Sequence, residues 1–125
     1  MNRYVISIGS NSADRDIQLA KAIDWLSSIA KSIKASSVYC TESINHVDNE
    51  YMNAVAVCES EHSHNDLNDM LKQYEINCGR SKESKLNGVI PIDLDIVIAN
   101  DIILRSVDYN REYFKIGWNE LNAQP

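Results

Sequence analysis

The stretch Pro91-Ile92-Asp93-Leu94-Asp95-Ile96-Val97-Ile98 is an apolar, β-branched run broken by two carboxylates two residues apart. That composition predicts a strand. Side chains alternate faces along a strand, which sends Ile92, Leu94, Ile96 and Ile98 to one side and Asp93 and Asp95 to the other, about 6–7 Å apart along the chain. Two like charges held side by side are costly unless a positive group lies between them. A hard divalent ion such as magnesium, which takes oxygen ligands and shares phosphate oxygens, answers that need. The plainer reading, a polar outer face at the solvated end of a strand, stands beside it.

Working outward, Tyr4-Val5-Ile6-Ser7-Ile8 predicts a short buried strand ended by the turn cluster Gly9-Ser10-Asn11-Ser12. A helix capped by Asp14 follows, with Leu19, Ala22, Ile23, Leu26, Ile29, Ala30 and Ile33 as its buried stripe. Residues 35–41 read as a second strand and 50–59 as a third, where Met52, Ala54, Ala56 and Cys58 alternate with Tyr51, Asn53, Val55 and Val57. Between them lies a polar loop. A second helix spans 64–78: Ser63 and Asp66 imitate a capping box, and Gly79 suits the left-handed C-terminal position. Residues 81–89 form a polar loop, the Asp93/Asp95 strand follows, then the short apolar piece Ile102-Ile103-Leu104 and a final helix over 108–121. The order β-α-β-β-α-β-α predicts an α+β, ferredoxin-like antiparallel sheet with helices packed on one face. The other face is then free to hold a ligand, with Asp93 and Asp95 on it or at its rim.

A chain of 125 residues is sized for one domain, 1–125, and one core. Its formal net charge of −6, with no run of Lys or Arg, argues against non-specific binding to nucleic acid or to an anionic membrane. An anionic ligand needs local compensation by metal or a few placed cations. Cys40, Cys58 and Cys78 are odd in number, without a C-x-x-C pair, and read as small buried apolar residues rather than a disulfide or zinc framework. His62 and His64 lack a third ligand, and His46 sits in a loop. Trp25 and Trp118 read as packing on helix faces. Without a signal-peptide-like start or a long apolar span, a soluble, reducing, cytoplasmic monomer is expected.

Four landmarks in order give the pattern a family likeness: Ile8-Gly9-Ser10-Asn11, Tyr51-Met52-Asn53-Ala54, Glu75 with Gly79-Arg80, and Asp93-Leu94-Asp95-Ile96. Together they resemble the 6-hydroxymethyl-7,8-dihydropterin pyrophosphokinase family, whose members move a diphosphate from ATP to the hydroxymethyl group of a pterin in folate biosynthesis. The resemblance implies that Asp93 and Asp95 hold two magnesium ions bridging the ATP phosphates, with Arg80 and Lys82 as catalytic cations. It implies that Asn53 hydrogen-bonds the pterin edge, that Thr41 lines the pterin pocket and that Tyr113 stacks on the pterin. Glu75, Arg80 and Arg111 fall on the nucleotide side.

The chain departs from that pattern where the family carries a W-G-P-R-type stretch: here it reads Asn87-Gly88-Val89-Ile90. Ile90 in place of arginine removes a guanidinium able to clamp phosphate bidentately. Arg105-Ser106-Val107-Asp108 stands where the family has a Pro-His pair. Three readings follow: a magnesium-dependent diphosphotransferase, a relative that binds pterin or nucleotide without transfer, and a small ferredoxin-like interaction module.

Overall fold

A computed structural model describes residues 1–123 of the chain. In order, its elements are β1 (Asn2–Ser10), α1 (Arg15–Ile29), β2 (Ser32–Ala35), β3 (Tyr39–Thr41), β4 (Tyr51–Ser60), α2 (His64–Asn77), α3 (Lys82–Leu86), β5 (Asp93–Ala99), β6 (Ile102–Ile103), α4 (Ser106–Tyr109) and α5 (Glu112–Ala123). The strands form one antiparallel sheet in the order β2-β4-β1-β5-β6, with β3 also on β4. The predicted α+β, split β-α-β arrangement is present, and β1 is its central strand. None of the described helices is long and apolar enough to cross a membrane.

Alternation along the strands builds two cores. Tyr4, Ile6 and Ile8 of β1, Ala54, Ala56 and Cys58 of β4, and Leu94 and Ile96 of β5 share one face with Leu19 and Leu26 of α1 and Leu67 and Leu71 of α2. Trp25 joins the two helices by stacking on Tyr74, with ring centroids 4.4 Å apart. On the other face Val5, Val55 and Val97 pack with Phe114 and Leu121 of α5. The expectation of helices on one face is therefore corrected. Three valines on adjacent strands make an apolar surface that α5 covers, and the end of the second face near Asp93 and Asp95 stays open. Ile98 also departs from the simple alternation: Ile6 pairs with Ile96 but Val5 with Ile98, so the extra residue Val97 shifts the register and Ile98 joins the second core.

Other differences are local and have visible causes. The strand expected over 35–41 is two pieces, because Ala35 pairs with Ala56 whereas Tyr39 pairs with Asn53, one residue too many on the edge side. Ser36 fills that bulge: its N–H donates to Val55 O at 2.8 Å and its Oγ accepts from Val55 N at 2.9 Å. The loop over 81–89 contains α3, started by a reciprocal Ser81/Ser84 capping box that the sequence reading missed. The final helix is broken into α4 and α5. Asp14 precedes α1 without capping it, since its carboxylate accepts from Ser12 Oγ instead. Ser63 does cap α2, and Gly79 adopts φ +97° after it, both as expected. Cys58 is buried, but Cys40 is exposed on the edge strand β3, contrary to expectation.

Candidate active site

The open end of the second face is paved with small residues of β1. Gly9 pairs with Asn53 on one side and Asp93 on the other, and Ser7 pairs with Val55 and Asp95. Asn53, Gly9 and Asp93 thus form a row across three strands, with Asn53 and Asp93 about 10 Å apart at the backbone. A Cβ on Gly9 would sit 3.2 Å from Asn53 Oδ1, so glycine there leaves room for the amide. Over this floor lies a cleft of about 370 Å³ lined by Thr41, Tyr51, Asn53, Asp93, Tyr113 and the loop after β3.

Asn53 is 3% exposed, and its amide nitrogen donates to Thr41 Oγ1 at 2.8 Å. That bond fixes the amide's orientation and aligns the two side chains on one cleft wall. Tyr113 faces the cleft while its neighbour Phe114 fills the second core. Its phenol donates to the Asp108 carboxylate, and burial together with that carboxylate raises its pKa. Tyr39 Oη donates to Tyr113 O at 2.6 Å and accepts from Gly117 N at 3.1 Å, which ties the start of α5 to β3.

Beside the cleft, α2 delivers charge to β5. Glu75 is buried at the end of α2, and both its oxygens are engaged: Oε1 accepts from Arg80 at 2.9 Å, and Oε2 from Lys72 Nζ at 2.9 Å and Leu94 N at 2.8 Å. Arg80 Nη1 also donates to Asp93 Oδ1 at 2.7 Å. Lys72 Nζ reaches Leu94 O at 2.8 Å and Asp95 Oδ1 at 3.0 Å, and Arg105 lies 3.8 Å from the same Asp95 oxygen. Arg105 itself pairs with Asp108. Burial, and then the neighbouring charge of Asp93, push the Asp95 carboxyl above its ordinary range against the pull of Lys72 and Arg105. Burial works against the Lys72 ammonium, yet Asp95 and Glu75 together raise its pKa and keep it charged.

The residues suit a hard divalent ion. Hydrogen bonds from the described residues reach Oδ1 of Asp93 and of Asp95, while neither Oδ2 accepts one or is buried without a partner. Each acid therefore presents one oxygen to solvent. Among the described residues no three His, Cys, Asp or Glu side chains converge on one metal position, so water and a phosphate ligand would complete a magnesium shell.

Of the residues singled out from the sequence, Thr41, Asn53, Asp93 and Tyr113 share the cleft, with Asp95, Glu75 and Arg80 joined to it by ion pairs. Lys82 and Arg111 are exposed, and their side chains make no hydrogen bond among the described residues. Lys72 was not named from the sequence, and Tyr51 and Asp108, though they lie in quoted stretches, were given no role. Lys72 had a legible signal, since it lies three residues before Glu75 and so on the same face of α2.

A search of curated proteins found no match. The family model of 7,8-dihydro-6-hydroxymethylpterin-pyrophosphokinase (HPPK) matches residues 5–123. That span takes in the cleft, the Asp93/Asp95 strand and both helix layers. The chain belongs to the HPPK family.

Proposed function

We propose that this chain transfers diphosphate from ATP to the hydroxymethyl group of 6-hydroxymethyl-7,8-dihydropterin. The observation that carries the reading is one sheet face on which a pterin-sized cleft with a fixed amide adjoins a carboxylate pair. Asn53, held by Thr41, offers its remaining amide hydrogen-bonding capacity to a flat heterocycle, and Tyr113 gives that ring an aromatic neighbour. The hydroxymethyl oxygen attacks the β-phosphorus of ATP, the bond from that phosphorus to the bridging oxygen breaks with its electron pair on AMP, and the hydroxyl proton passes to solvent. Such transfers ask a protein for positioning and charge. Arg80 supplies a guanidinium next to Asp93, Glu75 fixes its direction, and Lys82 and Arg111 are exposed cations available to nucleotide phosphates. Magnesium, when held by Asp93 and Asp95, would draw charge from the phosphate oxygens.

A second reading, binding without transfer, is favoured by residues 87–90. Asn11 Nδ2 donates to Gly88 O at 2.8 Å and Asn11 Oδ1 accepts from Ile90 N at 2.6 Å, so this segment is fastened over the sheet end without a cation of its own.

Calorimetric titration separates the two subsites. Asp95→Ala is expected to abolish magnesium-dependent ATP binding with the fold intact, and Asn53→Ala to weaken pterin binding while sparing ATP. Unchanged ATP binding in the first variant contradicts the metal assignment. Equal loss of both ligands in the second contradicts the pterin assignment.

A further inference from the structure

The least ordinary group at this site is Lys72. An ammonium has three N–H donors, and here all three have acceptors: Leu94 O at 2.8 Å, Glu75 Oε2 at 2.9 Å and Asp95 Oδ1 at 3.0 Å. One acceptor is a backbone carbonyl of β5 and another a buried carboxylate, so the charge is fixed in place with no donor left for a substrate. Arg80 differs. It shares Nη1 between Glu75 and Asp93, and its other guanidinium nitrogens have no acceptor among the described residues.

Resting on the reading of Asp93 and Asp95 as metal ligands, we propose that the Lys72 ammonium occupies the place of one divalent ion, so that this site takes up a single ion where the carboxylate pair alone would take two. A second ion bridged to the first by Asp95 would require Asp95 to use both oxygens. Asp95 cannot do so while Lys72 sits 3.0 Å from Oδ1 with Arg105 behind it at 3.8 Å. With Asp93 Oδ1 likewise held by Arg80 at 2.7 Å, Asp93 Oδ2 and Asp95 Oδ2 remain, enough for one ion with water and phosphate around it. A second dication beside a fixed ammonium would also meet like-charge repulsion in a partly buried site. Lys72 is thus a positioning residue, acting through Asp95.

The test counts manganese(II) bound per chain by electron paramagnetic resonance, in the presence of α,β-methylene ATP and corrected for manganese held by free nucleotide. The wild type is expected to bind one ion, Lys72→Gln two, and Lys72→Arg, which restores the charge, one. Circular dichroism melting of each variant identifies the folded samples to be counted. Should Lys72→Gln not fold, Lys72→Met, which keeps the length of the stem, takes its place with the same expectation. Two ions in the wild type, or one in both the wild type and the neutral variants, overturn the proposal and leave the metal assignment standing. No bound ion in any of them overturns the metal assignment itself, and the proposal with it.

Discussion

At the scale of single residues, the carboxylates that matter differ in what they face. Asp93 and Asp95 keep a free oxygen each, whereas Glu75 spends both on the protein. Removing Glu75 takes one acceptor from each of Lys72 and Arg80, which keep Asp95 and Asp93, and leaves the buried Leu94 N–H without a partner. Glu75→Ala is expected to cost about 1–3 kcal/mol, the range for leaving a buried polar group unsatisfied, as measured by urea unfolding. No measurable loss would mean that the Leu94 N–H finds another acceptor. Asp93 and Asp95 were legible in the sequence because a period of two leaves no choice of face once a strand is assigned. Lys72 carried only the weak signal of sharing a helix face with Glu75, because a lysine on an amphipathic helix reads as solvated until the strand beneath it is known.

Elements are the scale at which the sequence reading held best for long periodic segments and least well at junctions. The alternation over β4 emerged as read, with Ala54 and Ala56 in one core and Val55 in the other. The interruption at Ser36 did not, because a serine that replaces a ladder contact with its own hydroxyl leaves no mark in hydrophobic periodicity. α5 shows how a single small residue sets an element's position. A Cβ at Gly117 would lie 2.7 Å from Val55 Cγ2 and 2.8 Å from Tyr39 Oη, so glycine permits the close approach of α5 to β4. Gly117→Ala is expected to lower stability by about 1–3 kcal/mol through overpacking, and to weaken pterin binding because Tyr113 lies one turn earlier on α5. Thermal unfolding and pterin titration of the same variant check both effects. A variant as stable as wild type would show that α5 can move away without cost.

Taken as a whole, the molecule covers most of both sheet faces and leaves one end open, with α5 fixing how far the cover extends. The general α+β order could be read from periodicity. That the final helix lies opposite the other two could not, since its apolar stripe fits either face equally well. The contact that locks this arrangement has a pH signature. Burial pushes the Tyr39 phenol up from its ordinary value to about 12, partly offset by the Gly117 N–H. A raised folded-state pKa stabilises fully below the unfolded value near 10 and is lost as pH rises through about 12. Wild-type stability is therefore expected to fall between those limits more steeply than that of Tyr39→Phe, in denaturant titrations at successive pH values. Parallel curves would contradict a buried, protonated Tyr39.

The assembly's purpose is tested most directly by following AMP formation from ATP, magnesium and 6-hydroxymethyl-7,8-dihydropterin, with the double variant Asp93→Ala/Asp95→Ala run alongside. The account predicts AMP, dependent on the pterin, from the wild type alone. No AMP from a wild-type chain that binds both ligands would contradict diphosphate transfer and leave binding without transfer as the function of the cleft.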